Sequence, residues 1–142
     1  MNPTRLFPVA SLIALVLHVP VAVACSCLPN PPPAEALKAA GAVFLGKVTA
    51  IDRGAGQFAG LTVTIEVDRT WKGPGEKTLT VNTASDGAMC GFTFEVGKSY
   101  VVYAHAEGKA LSTSICTRTA HVDAAGEDLK ALGEGKKPGA KG

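Results

Sequence analysis

The chain has 142 residues, with 14 Lys and Arg against 12 Asp and Glu and a formal net charge of +2. That length accommodates one domain, and that charge balance leaves no electrostatic footprint for nucleic acid or an acidic membrane. The 46% hydrophobic fraction is inflated by one apolar run at the start of the chain.

Residues 1–24 read as a secretory signal. Arg5 is their only charge, and Val9 to Val23 is apolar apart from Ser11, His18 and Pro20, too short and interrupted for a membrane span. Ala22-Val23-Ala24 is the small-x-small triplet that signal peptidase cuts, and Pro20 ends helical structure just before it. Cleavage between Ala24 and Cys25 gives a secreted chain, extracellular or periplasmic, whose first residue is Cys25 with a free α-amino group. The other fate is lipidation of Cys25, as in bacterial lipoproteins. Those carry a larger aliphatic residue where this chain has Ala22, and a lipid would leave Cys90 or Cys116 without a partner.

In the body, Pro29-Asn30-Pro31-Pro32-Pro33 is stiff and extended, and Pro33 suits the first turn of a helix over Ala34 to Ala40, ended by Gly41. Ala42 to Ile51 reads as a strand with Gly46 marking a bulge or bend. Arg53 to Gly60 is a glycine-rich turn. Leu61, Val63, Ile65 and Val67 alternate with Thr62, Thr64, Glu66 and Asp68, the period of a half-buried strand. After the turn Lys72-Gly73-Pro74-Gly75 the alternation returns over Thr78 to Thr83. A loop through Asp86-Gly87 leads to Cys90. Tyr100 to His105 and Ala110 to Cys116 form the last two strands around the turn Glu107-Gly108-Lys109. Asp123 is placed to cap a helix running to Leu132 and stopped by Gly133. Residues 133–142, polar and glycine-rich, read as a disordered tail. The fold is mainly β, a small closed or nearly closed barrel; periodicity alone does not divide that from a sandwich.

The four cysteines are Cys25, Cys27, Cys90 and Cys116, and in an oxidising compartment they form two bridges. Three pairings exist. A Cys25–Cys27 ring would be tiny and strained, which leaves the two long-range pairings open. Either fixes the N-terminal segment to the body, and the chain-entropy picture assigns about 4–5 kcal/mol to each such loop. A four-cysteine zinc site is disfavoured by the missing C-x2-C pair and by the oxidising compartment. His105 and His121 have no recognisable nucleophile or metal partner, so the sequence does not read as an enzyme. Trp71 reads as a strand-end packing residue.

Cys25-x-Cys27-x-Pro29 directly follows the cleavage site, with a short helix behind it. The strand Val43-Phe44-Leu45-Gly46-Lys47-Val48 comes next, then Met89-Cys90-Gly91, then Gly108-Lys109 leading to Ile115-Cys116. This constellation resembles the N-terminal, netrin-like domain of the tissue inhibitors of metalloproteinases, across nearly all of residues 25–132. The resemblance implies a five-stranded barrel of the oligonucleotide-binding (OB-fold) type with short flanking helices, stapled by Cys25–Cys90 and Cys27–Cys116. It also implies a function, inhibition of zinc metalloendopeptidases. The α-amine and carbonyl oxygen of Cys25 would chelate the catalytic zinc of the target, and Ser26 would point into its main specificity pocket. Leu28 and Pro29 would continue along the groove, with Ala88 and Met89, tied to Cys25 through Cys90, beside them. The partner is then a zinc metalloprotease, the zinc is the target's, and the chain is a monomer with no cofactor of its own. The alternative is a netrin-like binding module that recognises a protein or glycan through its barrel face and inhibits nothing.

Overall fold

The computed structural model describes residues 25–56 and 59–139. Residues 1–24, which the sequence analysis reads as a secretory signal, and residues 140–142 of the tail fall outside them.

Six strands form one sheet: β1 (Ala42–Arg53), β2 (Leu61–Lys72), β3 (Thr78–Thr83), β4 (Ser99–Glu107), β5 (Ala110–Ser112) and β6 (Ala120–His121). Neighbours run β1-β2-β3-β5-β4, and β4 pairs back onto β1, so five strands close into a barrel with β6 as an extra pairing on β4. All pairings are antiparallel except β3 with β5. This is the mixed, closed five-stranded OB-fold-like barrel, with a short helix near each end: α1 (Pro33–Ala39) and α2 (Gly126–Leu132).

The period-2 pattern explains the closure. Val63, Ile65 and Val67 of β2 and Leu79 and Val81 of β3 face inward, while Thr62, Glu66, Thr78 and Thr80 stay exposed. β1 and β4 differ because both of their faces are covered. Phe44, Val48, Tyr100 and Val102 fill the barrel, whereas Val43, Val101 and Tyr103 turn outward into a second apolar cluster under the helices. Leu37 of α1 and Leu129 and Leu132 of α2 roof that cluster, with Trp71 at its edge. A strand covered on both faces loses its alternation and becomes a continuous apolar run, as in Ala42–Leu45 and Tyr100–Ala104.

Gly46 is where the sequence places a bulge, and the β1–β2 register does shift between Leu45 and Gly46. A Cβ there would stand 2.5 Å from the Glu66 carbonyl oxygen and from Ile65 Cγ2. No side chain fits where the two strands cross so closely.

The structure departs from the sequence reading in four places. β5 stops at Ser112 instead of continuing to Cys116: Thr113 N–H makes the last bond to β3, on Asn82 O at 2.9 Å, while its hydroxyl turns onto the Tyr103 carbonyl at 3.0 Å. His121 lies in a two-residue strand, β6, where the sequence reading places no strand. Asp123 does not cap α2: it lies in a 3-10 turn, Val122–Ala124, and α2 begins at Gly126 with no side-chain cap. The tail is ordered as far as Gly139. Lys136 and Thr70 exchange backbone hydrogen bonds of 2.8 Å in each direction, and Gly139 N–H donates to Gly75 O at 2.7 Å.

Candidate functional site

The site is built on the first residues of the described chain. Cys25 is bridged to Cys90 and Cys27 to Cys116, with Cα separations of 5.3 and 5.1 Å. These are the pairs implied by the resemblance. With one residue between them, Cys25 and Cys27 reach the same body, while Ser26, Leu28 and Pro29 remain exposed. Leu28 is 86% exposed.

Two polar contacts extend the anchorage past the bridges. Asn30 Nδ2 donates to the Thr117 carbonyl at 3.3 Å, and Arg118 Nη1 donates to the Pro31 carbonyl at 3.1 Å. Four successive attachments, at residues 25, 27, 30 and 31, therefore fix a segment whose prolines already limit its backbone freedom.

The second wall of the site is the loop after β3. Gly87–Met89 form a 3-10 turn capped by Asp86, whose Oδ1 accepts from Met89 N–H at 3.1 Å. Cys90 follows in the left-handed region, at φ 62°, uncommon for a residue with a side chain. The bridge and two backbone bonds hold it there: Cys90 N–H to Gly87 O at 3.1 Å, and Ile115 N–H to Cys90 O at 3.0 Å. Gly91 is buried, and a Cβ on it would meet the carbonyl oxygens of Ala84 and Asp86. The turn delivers Ala88 and Met89, both exposed, to the end of the barrel that carries Cys25. Leu28, Met89 and Ile115 are three of the four exposed large hydrophobic residues among the described residues, and all three flank the paired bridges.

Sequence reasoning missed the support beneath this ridge. Asp128 on α2 is buried. It accepts from Tyr103 Oη at 2.7 Å and takes a bidentate pair from Arg118 Nε and Nη2 at 2.7 and 2.9 Å. Burial alone would raise the Asp128 pKa, but the Arg118 and Tyr103 hydrogen bonds and the guanidinium charge hold it below the usual carboxylate value. Tyr103 is pushed well above the ordinary phenol value by burial and by donating to that carboxylate. Arg118 is pushed higher still by its bonds to Asp128 and Glu127. Thr113, Thr117 and Thr119 join hydroxyls at 2.7 to 3.0 Å beside it. The one local signal was position: Arg118 follows Cys116 by two residues.

The remaining candidates have ordinary placements. His105 is exposed on β4, and His121 packs edge-on to Tyr100 at 5.4 Å and accepts from Asp123 N–H. Trp71 is half-buried on the second cluster and donates to Gly133 O at 3.0 Å. Among the described residues the one grouping of metal-ligating side chains is Cys25, Cys27 and Cys116, and their sulfurs are engaged in the bridges. No family model matches the chain, and no curated protein matches it significantly.

Proposed function

We propose that the protein is a secreted inhibitor of zinc metalloendopeptidases that acts through its mature N-terminus. After cleavage at Ala24–Cys25, the Cys25 α-amine and carbonyl oxygen bind the target's catalytic zinc in place of its water. Ser26 enters the adjoining specificity pocket, Leu28 and Pro29 run on along the groove, and Ala88 and Met89 pack beside them. The observation that carries this reading is a short segment, Ser26 to Pro29, that is exposed and yet held by the two adjacent bridges at Cys25 and Cys27.

The chemistry is consistent with that role. A catalytic zinc keeps one coordination position open and accepts nitrogen and oxygen ligands. An α-amino group titrates at about 8, so near neutral pH it gives up its proton for a metal at small cost. Fixing the chelating segment before binding reduces the ordering entropy lost on association. The exposed apolar side chains of Leu28 and Met89 supply surface whose burial favours a protein partner.

The test compares the chain beginning at Cys25 with a variant carrying one additional alanine before it, both against several zinc metalloproteases. Inhibition by the first and none by the second supports chelation by the Cys25 amine. Equal inhibition by both forms overturns it. If neither form inhibits while both bridges are intact by mass, the netrin-like binding module is the better reading.

A further inference from the structure

We propose that the gap in the barrel wall between β3 and β5 is a second binding site, which takes an extended peptide segment of a partner protein as an added strand. The inference is independent of the inhibitor reading. The gap lies toward the start of β3, whereas Met89 and Cys90 follow the other end of that strand.

The phase of the backbone bonds leaves this edge free. Val67 N–H donates to Lys77 O at 2.8 Å, one step below Glu66↔Thr78 in the β2–β3 register. Closely spaced bonded pairs alternate along an antiparallel ladder, so Leu79 and Val81 bond to β2. Thr78, Thr80 and Asn82 therefore turn their N–H and C=O groups toward β5. Asn82 fits that phase, because its carbonyl accepts from Thr113 N–H at 2.9 Å. On the facing strand, the two-residue turn Gly108-Lys109 makes Glu107–Ala110 the first bonded pair of β4 and β5, so Leu111 turns its N–H toward β3. Yet β3 and β5 pair only at Asn82↔Ser112. Among the described residues no strand bonds to Thr78 or Thr80 on this side.

Between the parted strands lies a cavity of about 510 Å³. Thr78 and Thr80 stand on one wall and Leu111 on the other, and a row of unpaired strand groups is a template for another strand. Leu79 and Leu111, each 6% exposed, supply the apolar part of the lining. Glu76 and Lys109 line the same cavity, both exposed, and neither makes an ion pair among the described residues. Successive side chains of a strand point to opposite faces. The complementary segment therefore turns one apolar residue into the gap and carries a base and an acid on either side of it, for Glu76 and Lys109.

The test follows amide hydrogen exchange by NMR on the chain beginning at Cys25, alone and with two probe peptides, acetyl-Thr-Lys-Val-Glu-Thr-amide and acetyl-Thr-Glu-Val-Lys-Thr-amide. In the free chain the Thr78 and Thr80 amides exchange at least about a hundredfold faster than those of Leu79 and Val81. The peptide whose order suits the direction of the added strand slows Thr80 exchange by about tenfold or more. Methylating the backbone nitrogens of that peptide keeps its side chains and abolishes the protection. Thr80→Pro removes a donor that β2 does not use, so the melting temperature holds while peptide binding weakens by more than about fivefold. Lys109→Glu, on an exposed turn, weakens binding without touching the strand backbone. The proposal is overturned if Thr80 exchanges as slowly as Leu79 in the free chain, if neither peptide slows it, or if the methylated peptide protects equally. Protection that grows with protein concentration alone assigns the edge to a second copy of the chain, and overturns it as well.

Discussion

Arg118 holds Pro31. Its Nη1 donates to the Pro31 carbonyl at 3.1 Å while its Nε and Nη2 clasp Asp128 on α2, so one guanidinium ties the amino-terminal segment to the last helix. The side chain is only 15% exposed, and removing it would leave the Asp128 charge buried without its partner. Arg118→Ala should lower unfolding stability by about 3 kcal/mol, read as a lower urea midpoint. Arg118→Lys should recover less than half of the loss, because an ammonium cannot make the bidentate pair.

The same network sets the pH limits of stability. The folded pKa of Asp128 is depressed, so its contribution is present above the unfolded value of about 4 and is lost as pH falls through the folded value. The folded pKa of Tyr103 is raised, so its contribution is full below about 10 and declines as pH rises beyond it. Urea midpoints measured from acid to alkali should fall on both sides, and Tyr103→Phe should flatten the alkaline side.

Leu28 and Met89 separate stability from binding. Both are exposed, so Leu28→Ser and Met89→Ser should each change unfolding stability by no more than about 0.5 kcal/mol. Under the inhibitor reading each should raise the inhibition constant by roughly tenfold, the loss typical of a well-packed interface side chain. Thermal melts beside inhibition curves check both statements.

Gly91 should not tolerate a methyl group. The Cβ of Gly91→Ala would press on the Ala84 and Asp86 carbonyls, and overpacking of that kind costs about 1–3 kcal/mol. Relief of the clash moves Met89 and Cys90, so under the inhibitor reading the inhibition constant should worsen along with the melting temperature.

Truncation after Leu132 is expected to behave differently. It removes the Lys136–Thr70 backbone pair and the Trp71 bond to Gly133, at about 1–2 kcal/mol of stability. Both lie on β2, remote in sequence from the cysteine ridge, so inhibition measured on the folded fraction should be unchanged.

The strands were legible wherever one face met water. β3 runs over Thr78–Thr83 as its alternation indicates, and Leu61–Val67 sets the register of β2. Bounds blurred where both faces were covered, as in β1 and β4, because a continuous apolar run carries no period. β5 was read too long because Thr113 to Thr117 keep β-forming side chains but use their hydroxyls against Tyr103 and one another. At the site, the sequence pointed to Cys25–Pro29 through the expected cleavage after Ala24, and the structure leaves Ser26 to Pro29 exposed with Cys25 half-buried. The cysteine count left two pairings, and the resemblance implied the one observed. Beyond the position of Arg118 two residues after Cys116, the Tyr103–Asp128–Arg118 network could not be read, because its members come from a strand, a loop and a helix with no shared spacing.

The barrel closes between β3 and β5 through a single residue pair, Asn82 with Ser112, and the bond from Thr113 N–H to Asn82 O. Cys90 lies just beyond β3 and Cys116 just beyond β5, and both are bonded to the tripeptide Cys25-Ser26-Cys27. That tripeptide is a stitch across the thinnest seam of the wall. Tension applied to the amino terminus is delivered through both sulfur bonds to the flaps on either side. This exposed stretch of chain is therefore also the thread across the barrel's narrowest pairing.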